Sequence, residues 1–186
     1  MLGFARKWLS SFLLVCLTAC ITASGRTSDE KVLEKNLIAR LPLSPKQLVL
    51  TFDDGPGELT GELLDFLKEE QISATFFVTG KIARNYLPLL ERMYLKGHSI
   101  GNHTYSHQLP MPTGQTLIDE LLKAHQIIKP FSKTGTYFFR PPGGAWEVGN
   151  ARATAIPEFF KYIGPVFWDI GGVLENGHSG MLALPS

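Results

Sequence analysis

Apolar positions along the chain follow two alternating patterns. Short continuous runs rich in β-branched and aromatic residues, such as residues 47–50 and 74–78, predict buried strands. Apolar residues spaced three or four apart, as in residues 58–70 and 116–129, predict amphipathic helices. The same reasoning predicts strands at residues 98–101, 137–139 and 165–168, and helices at residues 82–96, with Pro88 opening a second segment, and 150–162, despite Pro157.

This alternation predicts the α/β class, with a parallel sheet and right-handed crossovers between its strands. The polar motifs described below each follow directly after a predicted strand. In (β/α) barrels the loops after the carboxyl ends of the strands build the active site. A barrel with its functional residues at one mouth therefore accounts for their clustering.

The N-terminal residues have the features of an export signal. Arg6 and Lys7 precede an apolar run at residues 8–19 that is too short to span a bilayer comfortably. Residues 17–20, Leu-Thr-Ala-Cys, look like a bacterial lipobox, which predicts lipidation of Cys20 and anchoring in the cell envelope. The alternative is an ordinary signal cleaved near Ala23 or Ser24, with Cys20 incidental. We expect residues 1–20 to be the signal, 21–45 a tether, and 46–186 the folded domain.

Composition and charge exclude some classes of protein. The 186 residues suit one domain, and 44% hydrophobic with 19% charged residues indicates a globular chain. A net charge of +1 excludes a strongly basic nucleic-acid-binding protein. We expect a monomer with no nucleic-acid partner.

Two adjacent carboxylates stand where the first predicted strand emerges into a loop. Asp53 and Asp54 follow the apolar residues 47–50, and residues 55–57, Gly-Pro-Gly, end any regular element. If the backbone turns between them, the two aspartates can take different roles. The alternative is a solvated turn, because Asp-Gly and Gly-Pro are common turn formers.

Two histidines four residues apart form the second candidate cluster. His103 and His107 can both reach one ion if their loop turns helically, although two surface histidines remain an alternative. Together with a carboxylate from another strand end, they would form a two-histidine, one-carboxylate site. Such a site leaves positions open for water and substrate, and it suits Zn²⁺ or another first-row divalent ion.

Three segments resemble the motifs of a known family. Thr-Phe-Asp-Asp-Gly-Pro at residues 51–56, His-Thr-Tyr-Ser-His at 103–107 and Arg-Pro-Pro-Gly at 140–143 are similar, in order and spacing, to the first three motifs of the polysaccharide deacetylase (NodB homology, carbohydrate esterase 4) family. The resemblance spans roughly residues 47–169. It implies a distorted (β/α) barrel that removes N- or O-linked acetyl groups from a sugar polymer.

The resemblance also implies roles for individual residues. Asp53 would be the general base, while Asp54, His103 and His107 would bind a divalent metal, with Zn²⁺ favoured over Co²⁺ or Ni²⁺. A bound ion would lower the pKa of its water toward ~7, making that water the nucleophile. Arg140 would hold Asp53, lower its pKa and keep it ionised.

Other residues are expected at the substrate side of the site or in the core. Pro142 and Gly143 of the third motif, together with Trp168, are candidates for substrate binding, although a rigid turn and core packing are the respective alternatives. Trp146 has the same two interpretations. His98 and His125 are expected to be packing or surface residues.

The chain departs from the family pattern near its C-terminus. Residues 168–172 resemble the strand leading to the fourth motif, but no Asp-Trp pair follows, and no Leu-x-His motif, which supplies the family's catalytic acid, precedes Ser186. We expect residues 180–186 to be too short to supply the missing strands, so that the barrel is incomplete at its C-terminal end. His178 has no local sequence that supports it as a replacement acid.

The favoured function is a metal-dependent hydrolase that removes acetyl groups from an N-acetylated polysaccharide, such as peptidoglycan, a chitin-like polymer or an exopolysaccharide. One alternative is an impaired or inactive truncated envelope lipoprotein that only binds metal and glycan. Another is a metal-dependent hydrolase of phosphate esters, which the lack of a Gly-rich phosphate loop disfavours.

Overall fold

The computed structural model describes residues 47–173 and 179–183. The predicted signal, the tether, Cys20 and His178 lie outside the described residues. Within the described residues, no helix is both long and apolar enough to span a membrane.

The main sheet begins with three parallel strands. Strands β1 (Val49–Asp53), β2 (Thr75–Val78) and β3 (Ser99–Asn102) lie side by side, with Thr51 opposite Thr75 and Thr75 opposite Ser99. Each pair is joined by a helical crossover, as the alternating pattern predicts. The predicted α/β class is confirmed.

A small parallel pair extends the wall beside β3. Strands β4 (Tyr137–Phe138) and β5 (Tyr162–Ile163) pair with each other, and a single bridge joins Asn102 to Phe139. The backbone N–H of Arg140 donates to the carbonyl of Asn102 at 3.0 Å. The described residues therefore form part of a (β/α) barrel wall, and Arg140 emerges next to the end of β3.

An antiparallel hairpin adds to the other side of β1, and its first strand overlaps residues 168–172, which resemble the strand leading to the fourth motif. Strands β6 (Ile170–Val173) and β7 (Ser179–Ala183) pair with each other, and β7 pairs antiparallel with β1 in the order β3-β2-β1-β7-β6. We had expected residues 180–186 to be too short to supply the missing strands, and residues 180–183 nevertheless belong to β7. The free edge of a strand carries unpaired N–H and C=O groups, and even five residues of β7 can pair with them.

In the part of the chain that the structure describes, five helices connect or cover the strands, most of them close to their predicted positions. Pro88 lies in the first turn of a second helical segment, as expected, because its missing N–H needs no partner there. The helices are α1 (Thr60–Glu69), α2 (Gly80–Ala83), α3 (Leu87–Leu95), α4 (Gly114–Ile128) and α5 (Val148–Ala153), and short 3₁₀ turns occur at Lys129–Phe131, Pro142–Gly144 and Pro157–Phe159.

Two predicted elements differ from the structure. The helix expected at residues 150–162 ends at Ala153, and Pro157 begins a separate 3₁₀ turn. The strand expected at residues 165–168 is an irregular segment, because the carbonyls of Val166 and Phe167 both accept hydrogen bonds from Arg140. Successive carbonyls of a strand point in opposite directions, so a regular strand could not offer both.

The hydrophobic core lies between the helices and the sheet. Its fully buried members include Leu64 and Leu67 of α1, Leu90 of α3, and Leu117 and Leu121 of α4. These are the inward positions of the amphipathic pattern. The packing holds the carboxyl ends of β1, β3 and β4 at one edge, where the candidate site residues lie.

Candidate active site

The backbone turns sharply between the two aspartates of the first motif. Asp53 is the last residue of β1, and its side chain is 2% exposed. Asp54 has a left-handed backbone with φ of 69°, and its side chain is 42% exposed. This turn directs Asp53 into the protein and Asp54 toward the histidines, as the two-role interpretation requires.

Asp54, His103 and His107 form a compact group of potential metal ligands. Oδ1 of Asp54 lies 3.4 Å from Nε2 of His103 and 3.1 Å from Nε2 of His107. The ligand atoms of the three residues all lie within 4.8 Å of one another. The structure thus brings together the three predicted ligands, and their binding of a metal remains a prediction.

A hydrogen bond orients the ring of His103. Its Nδ1 lies 2.8 Å from the backbone carbonyl oxygen of Arg140. Because a carbonyl only accepts, Nδ1 donates in this bond, and Nε2 is the ring nitrogen that faces Asp54. Metal-binding histidines in proteins are oriented by such a bond from the second ring nitrogen.

Arg140 is buried and links β1 to the irregular segment at residues 165–168. Its Nη1 donates to Oδ1 of Asp53 and to Oγ1 of Thr51, each at 2.8 Å. On its other side it donates to the carbonyls of Val166 at 3.1 Å and Phe167 at 3.2 Å. The guanidinium therefore holds the carboxylate of Asp53 in place, as expected.

The effect on the pKa of Asp53 differs from our expectation. The pKa of Asp53 is raised above its ordinary value, chiefly by burial, although His103 and Arg140 act to lower it and Asp54 adds to the rise. Burial likewise lowers the pKa of Arg140. We had expected the pKa of Asp53 to be lowered, because the sequence showed the neighbouring arginine but not the loss of water around the pair.

The predicted substrate-binding residues lie within the third motif or next to Arg140. Pro142 is buried in the 3₁₀ turn, and Gly143 is exposed with φ of 60°. The ring of Trp168 is half-buried and lies 5.4 Å from the guanidinium of Arg140. Trp146 instead packs against Phe139, with ring centroids 5.7 Å apart. Of the two tryptophans, Trp168 is next to Arg140, and its role in substrate binding remains a prediction.

The other two histidines among the described residues, His98 and His125, have packing partners other than the candidate ligands. His98 is 6% exposed, and its Nδ1 accepts from the backbone N–H of Ala74 at 3.2 Å. His125 contacts the hydroxyl of Tyr162 at 2.8 Å. Both positions agree with the expected packing roles.

Sequence reasoning missed Thr51, Asn102 and Glu120. Thr51 and Asp53 share one face of β1, so strand periodicity could have indicated that both meet the same partner. The carboxylate of Glu120 contacts the loop between the two histidines from α4. No local pattern pointed to Glu120, because its partners lie 14 and 15 residues away.

The family assignment rests on a match over more than half of the chain. Residues 40–155 match the model of the family described as polysaccharide deacetylase. The chain belongs to the polysaccharide deacetylase family. The predicted resemblance is therefore confirmed.

Several polysaccharide deacetylases are similar over part of their length. The Bacillus cereus peptidoglycan-N-acetylglucosamine deacetylase is 37% identical over 105 residues, which are 55% of this chain and 38% of that protein. The Azorhizobium caulinodans chitooligosaccharide deacetylase is 32% identical over 137 residues, covering 71% of this chain and 62% of that protein. The chain thus spans less than two thirds of these relatives.

A solved structure shares the fold. The family 4 carbohydrate esterase from Bacillus anthracis is 33% identical, with a TM-score of 0.63 over 78% of this chain and 70% of that one. This similarity supports the NodB-type partial barrel described above.

Proposed function

We propose that this chain is a metal-dependent deacetylase of an N-acetylated polysaccharide. The observation that carries the proposal is the Asp54, His103 and His107 cluster, which lies beside the clamped pair of Asp53 and Arg140. The family membership supports the reaction class.

The ligand set fits a divalent ion such as Zn²⁺. Ligands about 2.0–2.2 Å from a tetrahedral ion are about 3.3–3.6 Å apart, close to the distances of Asp54 Oδ1 from Nε2 of His103, 3.4 Å, and of His107, 3.1 Å. One carboxylate and two imidazoles would leave the ion positively charged and open to further ligands. When bound, the ion would activate water and polarise the acetyl carbonyl.

Asp53 and Arg140 would then have separate roles in the reaction. Oδ2 of Asp53 lies on the side of His103, 3.9 Å from its Nε2, while Oδ1 is held by Arg140. Asp53 would accept a proton from the attacking water through Oδ2, and Arg140 would hold its position. Water adds to the acetyl carbonyl carbon, and the leaving nitrogen takes up the proton that Asp53 accepted as the carbon–nitrogen bond breaks, which gives acetate and a free amine on the sugar.

The substrate class is proposed from the relatives. The B. cereus protein is named for N-acetylglucosamine in peptidoglycan and the A. caulinodans protein for chitooligosaccharides. Both substrates contain N-acetylglucosamine, so we infer a polymer of this sugar. Trp168 and Gly143, beside Arg140 and on the exposed turn, are the proposed contacts.

Acetate release tests the function. The full chain, loaded with Zn²⁺ or Co²⁺, is incubated with chito-oligosaccharide and with peptidoglycan, and acetate is measured before and after EDTA treatment. We expect EDTA-sensitive release that Asp53→Asn abolishes, whereas Asp119→Asn, an exposed carboxylate on α4, leaves it unchanged. A folded, metal-loaded protein that releases no acetate from either substrate would contradict the proposal.

We also propose that the chain is exported and lipid-anchored. The support is the positive start, the apolar residues 8–19 and the lipobox-like residues 17–20. Cys20→Ala should move the protein from the membrane to the soluble fraction of expressing cells. An unchanged distribution would contradict anchoring through Cys20.

A further inference from the structure

The loop that carries both histidines has an unfavourable backbone conformation. Thr104 and His107 have φ angles of 64° and 54°, in the left-handed region. Such conformations cost energy and persist only where surrounding contacts hold them. The loop therefore needs external support.

Part of that support is local. The N–H of His103 donates to the carbonyl of Val78 at 3.0 Å, and the N–H of Thr104 donates to Oδ1 of Asn102 at 2.9 Å. The N–H of His107 donates to Oγ1 of Thr104 at 3.2 Å. These bonds account for the two ends of the loop and leave the amides of its two central residues.

Glu120 holds the centre of the loop. Its Oε2 accepts from the N–H of Ser106 at 2.7 Å, from the N–H of Tyr105 at 3.2 Å and from Oγ of Ser106 at 2.9 Å. Hydrogen bonds to a charged acceptor are stronger than those between neutral groups. One carboxylate oxygen thus holds both central amides.

The position of Glu120 is itself rigid. Glu120 is 9% exposed on α4, and the neighbouring residues Leu117, Leu121 and Ala124 of this helix are buried at 0–1% exposure. A carboxylate on a packed helix transmits a fixed position to the loop, whereas an exposed loop residue could not. Shortening the side chain would withdraw the oxygen from all three donors.

We propose that Glu120 is a positioning residue that sets the geometry of His103 and His107 for metal binding. Glu120 is not one of the three candidate ligands, and it acts through the backbone of Tyr105 and Ser106. The inference deepens the proposed function and rests on it for the identity of the bound ion.

Metal affinity is the first test. Dissociation constants for Co²⁺, followed by its visible absorption, are compared among the wild type, Glu120→Gln, Glu120→Ala and the control Asp119→Ala. We expect Glu120→Ala to weaken binding ~10–100-fold, as loss of an outer-shell partner does. Glu120→Gln keeps one oxygen acceptor and should weaken it less. Asp119→Ala, which removes an exposed carboxylate bonded to Gln115, should leave affinity unchanged.

Controls separate positioning from general stability. Leu64→Ala removes a fully buried side chain of α1 and leaves a cavity in the core. Because Leu64 is not part of the histidine loop, this variant should have lower thermal stability but unchanged Co²⁺ binding. Equal affinity of the wild type and both Glu120 variants would overturn the proposal. A loss of affinity in Leu64→Ala as large as that in Glu120→Ala would overturn it too, because stability alone would then explain the effect.

Amide hydrogen exchange without metal makes the test independent of the proposed function. In Glu120→Gln and Glu120→Ala, the amides of Tyr105 and Ser106 should exchange faster while those of β2 keep their protection. Unchanged exchange at both amides would overturn the inference. If the wild type binds no metal, the proposed function fails, and exchange at these two amides alone decides whether Glu120 holds the loop.

Discussion

Replacing Arg140 with methionine removes the counter-charge of Asp53 while keeping much of the apolar volume of the side chain. The side chains of Arg140 and Asp53 are 1% and 2% exposed, and their contact is 2.8 Å. Breaking a buried pair by removing one partner typically costs about 3–5 kcal/mol, because the remaining charge stays buried. We expect a loss of this size in the free energy of unfolding of Arg140→Met.

The assay is urea unfolding of the metal-free protein, supported by thermal melting. For a domain of this length, a loss of about 3–5 kcal/mol lowers Tm by about 10–15 °C. Arg92→Met is the matched control, since Arg92 pairs with Asp65 at the surface, where solvent screens the pair. The control should therefore change stability much less.

A double-mutant cycle shows whether the buried charge causes the loss. Asp53→Asn combined with Arg140→Met removes both charges, so the double variant should be more stable than the sum of the two single losses implies. The reasoning is refuted if Arg140→Met is no less stable than Arg92→Met. Additive single losses would show that the pair is not coupled.

Three further predictions concern packing, pH and metal. Gly80→Ala should lower the free energy of unfolding in urea by about 1–3 kcal/mol, because a Cβ would lie 2.8 Å from Cδ2 of Tyr105 and 3.0 Å from Cα of Ala124. Gly61→Ala is the control, since the nearest contact of its Cβ would be 3.4 Å. Equal losses in the two variants would contradict the packing argument. Burial, and secondarily Lys96, holds the pKa of His98 below its ordinary value of 6.5, so His98 contributes stability above pH 6.5 that is lost as pH falls through the lowered pKa. His98→Asn keeps an acceptor for Ala74 without titrating, and urea unfolding at pH 7 and pH 5 should show a smaller decrease than in the wild type; an identical decrease would exclude His98 as a cause. Zn²⁺ at 100 times its Kd should stabilise the wild type by about 2.7 kcal/mol, seen as a rise in Tm that EDTA reverses. His107→Ala should lose this rise. An unchanged rise in His107→Ala would show that the ion binds elsewhere.

The predictions that succeeded depend on residues close together in the chain. Strands β1 to β3 and helices α1 and α4 follow from apolar spacing within ten to fifteen residues. The positions of Asp53 and Asp54 at a strand end follow from the Gly-Pro-Gly segment after them, and the one-ion reach of His103 and His107 from their spacing. The common edge of these motifs follows from the parallel arrangement of the strands.

The predictions that failed depend on contacts between distant residues. The segment at residues 165–168 has strand-like composition, but Arg140, about 26 residues earlier, takes two of its carbonyls. The direction of the pKa shift of Asp53 depends chiefly on burial by the packed domain, although Arg140 acts in the opposite direction.

By itself, the sequence determined the α/β class, the order of the first strands and helices, and which side chains emerge at the candidate site. Only the tertiary structure decided that β7 pairs with β1, that Arg140 reaches Thr51 across 89 residues, and that Glu120 supports the histidine loop. The physical reason is that local periodicity depends on neighbouring residues alone. Desolvation and long-range hydrogen bonds instead depend on which distant segments pack together, and that is decided by the fold as a whole.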